Sequence, residues 1–250
     1  MLTLERQNLI LDYLKDNKTA KIQALAKKLY VSEATVRRDL TEMEKLGLVR
    51  RSYGGVILYE SAGGEPAMSV RMEVMPDAKQ RIAMIAMQYL SDGGTLFFDS
   101  SSTVCTLARM FNKKHKTIVT TGIQAASCLA GKETLSVLLP GGKVVGNSDS
   151  TEGELTVMQL SQINFDVMVA SCGGIDGDSV TEASQGQCAI KQTVLKTASK
   201  KILLADERKF GARCPYRTCG IGEFDIVITN RRPLDIYGKL LSQLGCKLIY

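Results

Sequence analysis

Between Tyr59 and Pro76 the chain reads YESAGGEPAMSVRMEVMP, with a Gly-Gly pair, two prolines and no sustained hydrophobic period. The apolar pattern differs on its two sides. A break of this kind in 250 residues points to two folding units, since domains cluster near roughly 100–150 residues. The expected boundaries are a first domain over residues 1–57, a linker over 58–76 and a second domain over 77–250.

Ahead of the break the spacing is helical. Leu9, Ile10, Tyr13 and Leu14 form one apolar stripe, and Ile22, Leu25, Ala26 and Leu29 recur at i, i+3, i+4 and i+7, the period of a single buried face. Ser32 is placed as an N-cap with Glu33 in the first turn; Val36, Leu40 and Met43 then continue the period until Gly47 ends the helix. After it, LVRRSYGGVIL has strand composition broken by Gly54-Gly55, read as a two-residue hairpin turn. Three helices followed by a hairpin make a winged helix-turn-helix.

From Lys18 to Arg51 nine basic residues stand against four acidic ones, a local excess that attracts a polyanion. If the third helix buries Val36, Leu40 and Met43, its outer surface mixes arginines with short hydroxyls. That mixture suits a major groove, where arginine meets guanine edges or phosphate and threonine meets a thymine methyl. A basic wing after the helix supplies phosphate contacts that position it. The expected DNA-contacting set is therefore Ser32, Glu33, Thr35, Val36, Arg37, Arg38 and Thr41 on the helix, with Arg50, Arg51 and Tyr53 on the wing. A solvated amphipathic helix is the plain alternative for the helix taken alone.

Beyond the break, short apolar runs such as TLFF, TIVTT, FDVMVAS, KILLAD and FDIVITN alternate with helical stretches, which implies a largely parallel sheet covered on both faces. The overall class is α/β. Hydrophobic residues make up 44% and charged residues 23%, so the chain can build a core. No apolar run approaches the ~20 residues of a membrane span, and the start, MLTLERQNLI, lacks the order of a signal peptide. A soluble cytoplasmic protein is expected. The seven cysteines are scattered without a CxxC, beside a single histidine, His115, so neither a metal site nor a cofactor is expected.

The first segment resembles the DNA-binding head of the DeoR family of bacterial transcriptional regulators. The match lies in Arg6, Ile10 and Leu14, then Ser32-x-x-Thr35-Val36-Arg37-Arg38-Asp39-Leu40, then Leu46-Gly47 and Arg51-x-x-Gly54-Gly55. It continues through Arg71, Lys79 and Ile82-Ala83 into FFDSSSTVCTLA, TIVTTG, LLPGG, GGID and LLADERKFG. The resemblance implies a Rossmann-like second domain related to sugar-phosphate isomerases and coenzyme A transferases, sensing a phosphorylated sugar or similar metabolite.

The residues add a reason of their own. Asp99-Ser100-Ser101-Ser102-Thr103 follows a strand and leads into a helix, where hydroxyls and free N–H groups hold a phosphate. Thr120-Thr121-Gly122 and Gly141-Gly142 are further turns between a strand and a helix, the segment past the second being less regular, and such loops converge at the carboxyl ends of a parallel sheet. Turns and helix caps alone would look the same at any one of them. The resemblance places Asp176, Lys191, Asp206 and Lys209 in the rest of the pocket.

The chain departs from the family pattern at Val145, where an arginine is usual, at Ser101 and Thr121, and at Gln187-Cys188 in place of Glu-Ala. Losing the arginine removes a bidentate phosphate clamp and implies a less anionic or more weakly held effector. The leading reading is a repressor of a carbohydrate operon, acting on double-stranded operator DNA as a dimer or tetramer. The alternative is a sugar-phosphate isomerase or transferase with an appended head, using Asp99, Asp176, Asp206 and Lys191 as acid and base if they share one pocket.

Overall fold

The computed structural model describes residues 3–17, 19–45, 49–52, 55–58, 66–90 and 94–250. They form two compact units, Met1–Arg71 and Met72–Tyr250. The first contains α1 (Thr3–Asn17), β1 (Thr19–Lys21), α2 (Ile22–Leu29), α3 (Glu33–Lys45), β2 (Val49–Ser52) and β3 (Gly55–Leu58). Its core takes Ile10 and Leu14 from α1, Ile22 and Leu25 from α2, and Val36, Leu40 and Met43 from α3, each within a few per cent of complete burial. Leu9 does not join them and is 48% exposed. The buried line of α1 runs through Ile10 and Leu14, one turn apart, and Leu9 sits off it.

The wing departs from expectation in two ways. A three-residue strand, β1, too short to leave a periodic signal, joins it in the order β1-β3-β2. Ser52 also pairs with Gly55, which is therefore a strand residue and not half of the connecting pair. Tyr53, Gly54 and the helix-ending Gly47 lie outside the described residues. Gly55 is instead the first residue of β3, where an added Cβ would stand 2.8 Å from the carbonyl oxygen of Ala20.

Helix α4 (Met68–Glu73) spans the boundary between the units. The second unit runs α5 (Pro76–Met87), β4 (Thr95–Phe98), α6 (Ser102–Met110), β5 (Lys116–Thr120), α7 (Ile123–Ala130), β6 (Leu135–Leu138), β7 (Lys143–Val145), β8 (Ser150–Glu152) and α8 (Glu154–Ser161). It continues with β9 (Phe165–Ser171), β10 (Gly174–Asp176), β11 (Ser179–Glu182), α9 (Gln185–Thr197), β12 (Ala198–Leu204), β13 (Tyr216–Gly220), β14 (Ile226–Ile228), α10 (Asp235–Gln243) and β15 (Lys247–Ile249).

Seven strands make one sheet in the order β15-β14-β12-β9-β4-β5-β6, with every pair parallel. Alternate strand residues face opposite layers. Leu96 and Phe98 pack with Ile82 of α5, Val104 and Leu107 of α6 and Leu129 of α7. Phe97 packs with Leu160 of α8, Ile190 and Val194 of α9 and Leu241 of α10. This is a doubly wound α/β fold. The chain leaves β4 in one direction toward β5 and β6, then returns to β9 on the other side of β4 and runs outward, so the topological switch point lies between β4 and β9. A separate antiparallel sheet, β10-β11-β13, and the β7-β8 hairpin complete the unit. No helix among the described residues is long and apolar enough to cross a membrane.

Candidate DNA-binding face and effector site

Ser32 starts α3 as expected: its hydroxyl accepts the Thr35 N–H at 3.2 Å and shares a 2.9 Å contact with the Thr35 hydroxyl. With Val36, Leu40 and Met43 inward, the outer face carries Arg37 and Arg38, both exposed. Glu33 holds Arg37 one turn away at 3.3 Å, and Arg38 makes no ion pair or hydrogen bond with the described residues. On the wing, Arg51 turns back to α3. Its backbone N–H donates to Glu44 at 2.8 Å and its guanidinium to the Thr41 hydroxyl at 3.1 Å, so wing and helix present one surface. The side chain of Arg50, and all of Tyr53, lie outside the described residues.

Val36 must be removed from the DNA-facing set. It is fully buried among the helices, as its place in the apolar stripe requires. Beneath the same face, Asp39 takes both arms of Arg6 at 2.5 and 2.8 Å, almost out of solvent. The Asp39 hydrogen bond, opposed by burial, raises the Arg6 pKa and keeps the guanidinium charged. This bidentate pair ties α1 to α3.

In the second unit the loop after β4 sits at the switch point. Asp99 is wholly buried: one oxygen accepts the Ser101 N–H at 2.9 Å and the Ser101 hydroxyl, and the other accepts the Ser171 N–H at 2.8 Å. Ser101 caps α6 by accepting the Val104 N–H. Ser102 and Thr103, in the first turn of α6, have hydroxyls that make no hydrogen bond with the described residues. Ser100 is buried against Gly122, where a Cβ would be 3.0 Å from the Ser100 Cα. In the neighbouring loop Thr120 accepts the Gly122 N–H at 3.1 Å. Thr121 passes its carbonyl to the Thr151 N–H at 2.9 Å, while the Thr121 and Thr151 hydroxyls are buried without a partner among the described residues.

Lys191 is not the solvated lysine that an amphipathic helix would suggest. It is 4% exposed, and its ammonium donates to the Ser171 carbonyl at 2.7 Å, to Asp99 at 3.0 Å and to Glu182. Burial opposes the charge, but Glu182 and Asp99 outweigh it and raise the pKa above the ordinary lysine range. All three donors are thereby engaged, so Lys191 holds the loops together and offers no free ammonium to a ligand. Asp206 and Lys209 make bonds around the next loop. Asp206 accepts the Arg208 N–H at 3.1 Å, and Lys209 donates to the Gly173 carbonyl at 3.3 Å.

Two expectations are corrected. Gly141-Gly142 leads into the β7-β8 hairpin, not a helix, and both glycines are exposed. Gly142 has φ 154°, and a Cβ there would stand 2.1 Å from the Thr156 hydroxyl, so the turn packs tightly against α8. Asp176 lies in the small antiparallel sheet and pairs with Arg213 at 3.7 Å, not with Lys191. Of the acid/base set imagined for an enzyme, Asp99 and Lys191 are bonded to each other and to the loops around them. Glu152 and Glu182, which the sequence pattern did not single out, are buried instead, as is Ser150. A carboxylate ending a three- or four-residue strand carries no periodic mark.

A family model described as the DeoR-like helix-turn-helix domain matches residues 6–62, and one described as the DeoR C terminal sensor domain matches residues 75–231. The chain belongs to the DeoR family. It is 29% identical to the HTH-type transcriptional repressor GlcR of Bacillus subtilis, over 98% of this chain and 95% of that protein. It is also 29% identical to the glycerol-3-phosphate regulon repressor of Escherichia coli, over 92% and 91%. Among solved structures, ribose 5-phosphate isomerase A from Neisseria gonorrhoeae aligns at 17% identity over 54% of this chain and 53% of that one, with a TM-score of 0.39. As a DeoR-family member, this protein is a DNA-binding transcriptional regulator and not an enzyme.

Proposed function

We propose that this DeoR-family protein represses a carbohydrate-utilisation operon and that a phosphorylated sugar, bound at the carboxyl edge of its parallel sheet, controls operator affinity. Two heads of a cytoplasmic dimer or tetramer would read the operator through Ser32, Glu33, Thr35, Arg37, Arg38 and Thr41, with the wing at Arg50, Arg51 and Tyr53. The domain limits proposed above, 1–57, 58–76 and 77–250, divide those two tasks.

One observation supports the sensing half most directly. Ser102 and Thr103 stand in the first turn of α6, at the switch point, with hydroxyls that bond to nothing else described. A helix N-terminus favours an anion, and unengaged hydroxyls beside it supply the remaining donors a phosphate needs. Asp99, Lys191 and Glu182 lock this loop to the ends of β9 and β11, so ligand binding there would be felt by three strands and α9. A ligand alters DNA affinity only if it binds one arrangement better than another. A rigid shared lock is one way to provide that difference.

The test selects a duplex from randomised DNA with the full chain, then screens phosphorylated sugars and polyols by thermal shift and by their effect on binding that duplex. The Ser102→Ala/Thr103→Ala protein should keep ligand-free DNA affinity and lose about tenfold or more in effector affinity. An undiminished thermal response in that variant would place the effector elsewhere.

A further inference from the structure

Glu152 is 8% exposed, and no cation among the described residues lies within ion-pair distance of it. Its carboxylate is held by three neutral donors: the Gln187 side-chain amide at 2.8 Å, the Ser184 hydroxyl at 3.2 Å and the Ser150 hydroxyl at 3.3 Å. Ser184 is the N-cap of α9 and Gln187 lies in its first turn, so the carboxylate rests against the positive end of that helix. The seat is made by Gly186. A Cβ at that position would stand 2.0 Å from Glu152 Oε2. On the facing strand of the hairpin, Val145 pairs with Ser150 and supplies no charge.

We infer that Glu152 is a specificity-determining residue of the effector site, a built-in anion that fills the α9 side and confines the ligand's phosphate to the α6 side. This rests on the reading of the α6 loop as the phosphate site. Its Oε2, which accepts only from Ser184 among the described residues, retains a lone pair for a hydroxyl donor, and the carboxylate repels a second phosphate. The ligand class that follows is a singly phosphorylated, hydroxyl-bearing metabolite. Doubly phosphorylated sugars are rejected, because their second phosphate would have to displace Glu152 from Ser184 and Gln187. What remains for the phosphate is the first turn of α6, where the Ser102 and Thr103 hydroxyls make no hydrogen bond with the described residues.

The experiment is isothermal titration of the full chain with inorganic phosphate, fructose 6-phosphate and fructose 1,6-bisphosphate. Wild type, Glu152→Ala and Glu152→Gln are compared, each checked for its fold by circular dichroism. Wild type should hold the bisphosphate at least about tenfold more weakly than the monophosphate, a gap that like-charge repulsion readily produces. Glu152→Ala should admit one more inorganic phosphate per chain than wild type. Equal wild-type affinity for the two sugars, or an unchanged phosphate count in folded Glu152→Ala, overturns the assignment. If neither sugar registers, the phosphate count alone decides. If Glu152→Ala does not fold, Glu152→Gln decides: its phosphate affinity must rise severalfold, and an unchanged value overturns the assignment. A wild type that takes no phosphate, beside a Glu152→Ala protein that takes one, upholds Glu152 and removes the α6 loop as the phosphate site.

Discussion

Lys191 carries one positive charge between two buried carboxylates, Asp99 and Glu182, and a carbonyl, that of Ser171. Breaking such a pair from one side strands uncompensated charge in a low-dielectric interior, which costs about 3–5 kcal/mol. Lys191→Ala should therefore destabilise the second unit by that order in a urea titration. Adding Glu182→Gln should recover part of the loss, since it removes one of the two stranded charges. A loss no larger than that of an exposed lysine would show that the triad contributes nothing. The residue scale also separates the legible from the illegible. Arg38 was legible because exposure follows from its place between buried stripe positions of one helix. Lys191 was not, because its partners arrive from β4 and β11, and nothing in the spacing of α9 announces them.

At the scale of elements, the wing is held by a close approach that only glycine permits. The Ala20 carbonyl of β1 stands 2.8 Å from where a Gly55 Cβ would be, and that neighbour is backbone, which cannot rotate away. Gly55→Ala should push β1 off β3 and cost the first unit about 1–3 kcal/mol, the usual penalty of forced overpacking. The check is thermal unfolding followed by a probe in that unit, with the second unit's transition unchanged. Glycine at 55 is visible in the sequence as a hairpin signal, yet it pairs within β3 and its task is different. Register depends on which side chains can be buried, and on β1, a three-residue partner. The helices of the sheet domain show the same limit. The helix that follows the Asp99–Thr103 loop, α6, is announced by the sequence, whereas α8 leaves Leu155 and Met158 about half exposed and so blurs its own pattern.

For the whole molecule, DNA binding by basic side chains displaces counterions, so affinity falls as salt rises, with a log–log slope of roughly −0.9 per phosphate contacted. Fluorescence anisotropy across a salt series should show Arg38→Ala reducing that slope by about 1 if a single head acts and by about 2 if two heads act together. An unchanged slope and affinity would mean that another surface meets the duplex. The sequence by itself determined the two-part organisation, the inward stripes of α2 and α3, the exposed arginines and the parallel, doubly covered sheet. These follow from local periodicity, which any chain must obey to bury apolar surface at the period of its own backbone. Only the tertiary structure decided that Lys191 is locked and that Glu152 lies against α9. Each of those depends on residues distant in the chain meeting at the ends of strands, where electrostatics and close packing, not period, set the outcome.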